Sequence, residues 1–238
     1  MTWSIIARDQ STGRLGIAVA SRFFAVGALV PHVRSGIGAI ATQALVNSFY
    51  GTVGLRLLEE GRSAPDVVSA VITADPGREH RQVHAMDFNG HIAAHTGKDC
   101  VAWCGQRAGE NISVAGNMLA GAGVLEATAE TYEHSAALSF PRRLITAMRA
   151  GEGAGGDKRG RQSAALVICG EQEWPDLDLR VDDHLDPLAE LERLEKVSRE
   201  LFVPFMRLVP NRHDRVGLID RKAIESEIAR MNAAEGSA

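Results

Sequence analysis

Residues 15–21, LGIAVAS, hold no charged side chain, and their small and β-branched residues show no polar alternation. Such a stretch reads as a β-strand buried on both faces, unlike the half-buried strand of a sheet with one face in water. SAALVIC, residues 163–169, repeats the pattern. A chain with strands of this kind has to place a layer of structure on each side of the sheet that carries them. The segment before the first of them sets its pairing. TWSIIARD, residues 2–9, reads as a strand with Thr2, Ser4, Ile6 and Arg8 on one face and Trp3, Ile5, Ala7 and Asp9 on the other. Gln10-Ser11-Thr12-Gly13 has turn chemistry, with Gly13 free to take a positive φ. A four-residue turn makes the two strands antiparallel neighbours and sets Thr2 opposite Ser21.

The remaining pattern alternates groups of strands with helices. FAVGALVPHV and GIGAIATQA are expected as two strands, Pro31 marking the first as an edge or a bulge. SFYGTVGLRLLEEG is expected as a helix closed by Gly61, followed by a helix capped by Ser63 with Pro65 in its first turn. RQVHAMDFNGHIAAHTG reads as a hairpin with a two-residue Asn89-Gly90 turn, which pairs His84 with His95. Short strands follow near VAW and ISVAG, then helices near 122–134 and 138–150. After the glycine-rich segment GEGAGGDKRGRQ come SAALVIC and the alternating strand LDLRVDD. DPLAELERLEKVSRELFVPFM is expected as one long helix ending near Pro204, RKAIESEIARMNAA as a last helix, and EGSA as a frayed tail. Strands joined by short turns, with helices arriving in pairs, fit an α+β protein of two stacked antiparallel sheets with helices on both outer faces. No linker or internal repeat divides the chain. Residues 1–238 are expected as one domain, with about 200–238 a C-terminal helical extension.

With 45% hydrophobic and 24% charged residues the chain has an ordinary globular composition. A formal net charge of -4 lacks the basic footprint of a nucleic-acid or membrane-surface binder. There is no apolar run of spanning length and no signal-peptide pattern, so the expected location is cytoplasmic, without membrane or nucleic-acid partners. Cys100, Cys104 and Cys169 are an odd number without zinc-site spacing and are expected as reduced thiols.

Chemistry-bearing residues fall in five places. Thr2 directly follows the initiator methionine. A free N-terminal threonine is a nucleophile that carries its own base, its α-amine, whose ordinary pKa of about 7.7–8.0 leaves much of it neutral near physiological pH. Retained, Met1 acylates that amine, and Thr2 is then an ordinary strand residue; Ser4, on the same face, needs an external base. Around residues 155–163, Gly155, Gly156 and Gly160 permit unusual backbone conformations. Asp157, Lys158, Arg159, Arg161 and Ser163 bring charge and hydrogen-bonding groups. This loop either positions a nucleophile or is a connection pinned by an Asp–Arg pair. His84 and His95 lack a third ligand for a metal, and His95, with Thr96, is a candidate binding residue. Gln43, Asn47 and Asn117 either bind a substrate amide or carboxylate or satisfy buried backbone groups. Asp183 points with the apolar residues of its strand and either orients a site residue or caps the following helix.

TWSIIARD, LGIAVASRFFAVG, GIGAIATQALVN, YGTVGLRLL, ADPGREHRQV, HIAAHTGKDC, GNMLAG, AGGDKRGRQSAALVI and DLRVDDH-LDP together resemble the domain-of-unknown-function family 1028 over about residues 2–195. His84 departs from the small residue expected there, and the segment after about residue 200 lies outside the resemblance. The family is grouped with the four-layer α-β-β-α fold of the N-terminal-nucleophile (Ntn) hydrolases, which includes proteasome β subunits. The resemblance implies that fold and a tendency to form homo-oligomers. It agrees with hydrolysis of a small amide or ureido-type bond without cofactor or metal. Thr2 would attack, Asp157, Arg159 and Ser163 would assist, and Gln43, Asn47, His95, Thr96 and Asn117 would bind the small-molecule substrate. The competing expectation is a non-catalytic small-molecule-binding or assembly protein on the same fold.

Overall fold

The structure is a computed structural model that describes residues 2–235. The expectations about Met1, and about the tail beyond Glu235, lie outside those residues. The chain divides into two compact units, one ending at Leu191 and the other beginning at Glu192.

In the first unit, strands β1 (Thr2–Arg8) and β2 (Leu15–Ser21) are antiparallel neighbours, with Trp3 opposite Ala20 and Arg8 opposite Leu15. The Thr2 hydroxyl donates to Ser21 Oγ at 3.2 Å. Gly13 turns the connection at φ 72°, as its position in the turn requires. Strands β3 (Pro31–Arg34), β4 (Gly38–Ala44), β5 (Arg81–Asp87) and β6 (Ile92–Thr96) form one sheet in that order, with Pro31 on its edge strand. Strands β7 (Gly105–Gly109), β8 (Ile112–Asn117), β9 (Ser163–Cys169) and β10 (Leu177–Val181) join β1 and β2 in a second sheet, ordered β10-β9-β2-β1-β8-β7. All pairings are antiparallel.

Helices α1 (Ser48–Glu59) and α2 (Ala64–Thr73) pack on the four-stranded sheet. Tyr50, Leu58, Val67, Val68 and Val71 close over Ile40, Val83 and Ala85 there. Helices α3 (Gly123–His134) and α4 (Phe140–Gly153) cover the six-stranded sheet. The four layers are thus α-β-β-α, the arrangement of the Ntn hydrolases. Between the sheets Ile6, Leu15, Ile17 and Val19 meet Ala39, Ala41 and Met86. β2 therefore has helices on one face and a sheet on the other, which is why it tolerates no polar alternation.

Several local expectations are corrected. FAVGALVPHV is not a strand before Pro31. Residues 22–30 form a loop with a 3-10 turn at Val26–Ala28, Ala25 in the left-handed region at φ 52°. Ser163 pins this loop, donating from Oγ to the Phe23 carbonyl and accepting the Val26 N–H at 3.1 Å. The β5–β6 turn has three residues, 88–90, because Asp87 bonds its own turn: its carboxylate accepts the N–H groups of Asn89 and His91, each at 3.0 Å, and Gly90 takes φ 90°. The register moves by one, so His84 faces Ala94 and His95 faces Val83. The two histidines therefore point to opposite faces of the sheet. No strand forms at VAW; the edge strand is β7. Asp183 accepts from Gln162 Nε2 at 3.2 Å, and the residue that caps the next helix is Asp186, which accepts the Ala189 N–H at 3.0 Å.

The expected long helix is two helices, α5 (Pro187–Glu200) and α6 (Phe202–Met206). Proline at 204 has no N–H for the Glu200 carbonyl and would collide with it in a continuous helix. In the second unit that carbonyl instead accepts Asn232 Nδ2 at 2.9 Å, from α7 (Arg221–Glu235). Among the described residues no helix is long and apolar enough to cross a membrane.

Candidate functional site

The layer between the two sheets is apolar at one end and polar at the other. Strand alternation sends Thr2 and Ser4 of β1, Gln43 of β4, Gln82 and His84 of β5, and Ser113 and Asn117 of β8 into that layer, and all seven are buried. Buried polar groups have to find partners, and here they find one another. The backbone dictates the direction of each bond. Gln82 Nε2 lies 3.0 Å from the Gly105 carbonyl and 2.9 Å from the Gly116 carbonyl, and a carbonyl only accepts. Gln82 Oε1 is then the acceptor for Gln43 Nε2 at 2.8 Å and Asn117 Nδ2 at 3.1 Å. Gln43 Oε1 in turn accepts the Ser4 hydroxyl at 2.9 Å.

Ser4 has one proton, and Gln43 receives it. His84 Nε2, 2.8 Å from Ser4 Oγ, is therefore the donor of that contact, and His84 Nδ1 accepts from Ser113 Oγ at 2.9 Å. Complete burial, with no charged partner, lowers the His84 pKa to about 3. Ser4 and His84 have the spacing of a nucleophile and base, but their proton runs the wrong way for that role. The pair is a structural cross-link between the sheets.

Thr2 stands where this network reaches the strand ends. Its hydroxyl is given to Ser21, its carbonyl accepts Asn117 Nδ2 at 3.4 Å, and the residue is 6% exposed. With Gln43, Ala44, Phe23 and Val26 it lines a cavity of about 70 Å³. At roughly 30 Å³ per water, this is room for about two waters or one small amide group. Backbone strain gathers around it: Ala25, Ala44 and Met118 hold left-handed conformations at φ 52°, 70° and 54°. Non-glycine residues in such regions cost about 1–3 kcal/mol each and cluster at functional sites. A wider depression on α2, lined by Arg62, Asp66 and Ser69 among others, is larger at about 590 Å³, but it is shallow and open.

The loop after α4 follows its glycines, with Gly155, Gly156 and Gly160 at φ 114°, 47° and 105°. Asp157 is buried, and its carboxylate accepts the N–H groups of Arg22 and Arg159, each at 2.8 Å, and Arg159 Nη2 at 3.2 Å. It thereby holds the residue after Ser21 and closes its own turn. Ser163, opposite Ser21 across β2 and β9, holds the loop that supplies Phe23 and Val26 to the cavity wall.

The other sequence candidates lie elsewhere. Asn47 caps α1, accepting the Phe49 N–H at 3.1 Å, and donates to Asp75 at 3.0 Å. Burial pushes the Asp75 carboxyl up, but Asn47, Tyr50, the Gly77 amide and Arg81 outweigh it and hold it well below the ordinary range. His95 Nε2 contacts the Arg78 carbonyl at 3.0 Å. Thr96 accepts from Gln82 at 2.9 Å and donates to Gln106 at 3.2 Å. Thr2, Gln43 and Asn117 are thus brought together, Asp157, Arg159 and Ser163 brace the neighbouring loops, and Asn47 and His95 stand apart. Sequence reasoning missed Gln82, the hub of the network. Its signal was the alternation in RQVHAMD, which puts Gln82, His84 and Met86 on one face of a strand otherwise filled by Val83 and Ala85. Cys100, Cys104 and Cys169 are free thiols, and no group of three or more His, Cys, Asp or Glu among the described residues could hold a metal ion.

Fold and site define a class: an α-β-β-α sandwich with a hydroxyl residue at the start of its first strand, facing a small cavity between the sheets. Within that class the chain belongs to the family of unknown function DUF1028, whose model matches residues 2–191, ending where the first compact unit ends. A crystal structure of a DUF1028 protein from Silicibacter pomeroyi is 34% identical with a TM-score of 0.85, covering 92% of this chain and 99% of its own. Anbu (ancestral beta-subunit) from Yersinia bercovieri is more remote, 12% identical with a TM-score of 0.40, covering 88% of this chain and 98% of its own. Among curated proteins none matches.

Proposed function

We propose that the first unit is an Ntn-type hydrolase of a small amide or ureido-type bond, with Thr2 as nucleophile. The observation that carries this reading is the placement of Thr2, with Gln43, on a cavity the size of a small amide. Once Met1 is removed, the α-amine takes the proton of Thr2 Oγ1 as the oxygen attacks the substrate carbonyl carbon. The tetrahedral intermediate collapses, and the leaving amine takes that proton as the C–N bond breaks. Water then attacks the resulting ester, its proton passes through the same amine to Thr2 Oγ1, and the acid departs. Gln43 binds the substrate, and Asp157 and Arg159 hold the adjoining backbone in place.

A specific observation favours a second reading, a non-catalytic binding protein: the Thr2 hydroxyl and carbonyl are both already engaged, by Ser21 and Asn117. Intact mass of untagged protein separates the two. The hydrolase requires a population lacking Met1, and Thr2→Ala then abolishes turnover of small amides or ureides with little change in melting temperature. Methionine retained throughout the population overturns the hydrolase and leaves the binding protein.

A further inference from the structure

At the opposite end of β1 lies a second, larger cleft. Seven residues of strand at about 3.3 Å per residue separate it from Thr2 by roughly 20 Å. The cleft has a volume of about 510 Å³, within the usual range of small-molecule sites, about 300–1,000 Å³. Arg8, the β1–β2 turn, the β7–β8 turn at Glu110 and Asn111, the end of α3 at Tyr132 and Glu133, and Arg143 of α4 line it.

Its polar groups are unevenly satisfied. The three acids have partners. Asp9 accepts from Ser11 at 2.8 Å and Thr12 at 2.6 Å, with Arg14 at 3.6 Å. Glu110 accepts from Gln10 at 2.8 Å, and Glu133 pairs with Arg107 at 3.3 Å. The two arginines differ. Arg8 Nε is buried without a hydrogen-bond partner, and its guanidinium stacks over Phe88 at 5.6 Å. Arg143 donates from Nε to the Tyr132 carbonyl at 2.6 Å and lies 3.8 Å over the Tyr132 ring. Neither has an ion pair among the described residues. The Tyr132 side chain is 2% exposed, and its hydroxyl is buried without a partner. A buried hydroxyl left unbonded is costly and is rare in folded proteins. Two guanidinium groups without carboxylates and a spare O–H donor are the complement of an anionic oxygen ligand.

We propose that this cleft binds a small oxyanion, a phosphate or a carboxylate, held by Arg8, Arg143 and the Tyr132 hydroxyl. This site is independent of Thr2 and does not rest on the hydrolase reading. The test is calorimetric titration of the full chain with inorganic phosphate and, separately, with malonate, at fixed ionic strength. Binding of either probe at millimolar concentration is expected, and the tighter probe identifies the ligand as a phosphate or a carboxylate. Tyr132→Phe removes only the unpartnered hydroxyl, so its melting temperature should hold or rise while affinity falls about tenfold, the size of a charge-assisted hydrogen bond. Arg8→Gln should weaken binding at least as much. Failure of both probes to bind, or binding unchanged in both variants, overturns the proposal.

Discussion

Gln82 shows how a single side chain orders a site. Its two amide hydrogens face the Gly105 and Gly116 carbonyls and Thr96, and its oxygen holds Gln43 and Asn117. These are the amides nearest Thr2 that support the cavity wall and the start of β1. Replacing Gln82 with methionine keeps the volume and removes every one of these bonds. The Gly105 and Gly116 carbonyls and the Gln43 and Asn117 amides then lose a partner, at about 1–3 kcal/mol for each buried group that finds no other. Gln82→Met should lower unfolding free energy by about 3 kcal/mol or more in urea titration, against typical losses below that for single substitutions. A loss under about 1 kcal/mol would mean that the network carries little of the sheet-to-sheet contact. At the same scale Asn117 was identifiable from GNMLAG, whereas its pairing with Gln82 was not, because the bond spans 35 positions and two sheets.

At the scale of elements, α1 approaches the four-stranded sheet more closely than an ordinary helix can. A Cβ on Gly51 would meet the His32 ring at 2.1 Å, and one on Gly54 would meet Ile40 Cδ1 at 2.4 Å. Small residues at i and i+3 share a helix face, so this edge of α1 lies against β3 and β4. His32 is flanked by that helix, and burial lowers its pKa while the Leu29 carbonyl opposes the shift. Gly51→Ala gains helix propensity of about 1 kcal/mol but forces α1 or His32 aside, an overpacking that costs about 1–3 kcal/mol. The net expectation is a lower melting temperature. Gly51→Ala combined with His32→Ala should recover part of the loss; an unchanged melting temperature for the single variant would show that His32 moves freely. The sequence announced the helix from Ser48 and its Gly61 end; the Asn47 cap came from the structure. It did not announce the glycine face, which takes meaning only from what lies opposite.

For the first unit as a whole, the buried His84 predicts acid sensitivity. Unfolded, it takes up a proton below its ordinary pKa of 6.5; folded, it resists until about 3. Its contribution to stability is therefore full above pH 6.5, falls as pH drops through that window, and levels off near 3. At about 1.4 kcal/mol per pH unit the loss at pH 5 is about 2 kcal/mol. Asp75, held well below the carboxylate range, loses its contribution only below the ordinary Asp pKa. The acids raised by burial, Glu152, Asp176 and Asp178, act with the opposite sign and favour the folded state as pH falls. The informative quantity is thus the difference between variants. In chemical unfolding at pH 7.5 and 5, His84→Gln should lose about 2 kcal/mol less than the wild type over that interval. An equal pH dependence in both would place the acid sensitivity elsewhere.

What the sequence determined by itself was the order of most elements and the layering. LGIAVAS and SAALVIC carry their double burial in their own composition, Gly13 and Ser63 mark boundaries by local backbone chemistry, and the β1–β2 turn brings Thr2 to Ser21 within a short hairpin. Local cues also misled where a distant group decided. The Asn89-Gly90 pair suits a two-residue turn, but the Asp87 carboxylate captured the turn and shifted the register by one. FAVGALVPHV looks like a strand throughout, but Ser163, about 140 positions from Phe23, holds the part before Pro31 as a loop. Only the tertiary structure decided that Ser4 and His84 cross-link the sheets and do not form a nucleophile and base. The direction of their proton is inherited from backbone carbonyls on β7 and β8, through Gln82 and Gln43. A hydrogen-bond chain that crosses between sheets leaves no spacing in the sequence for a reader to find.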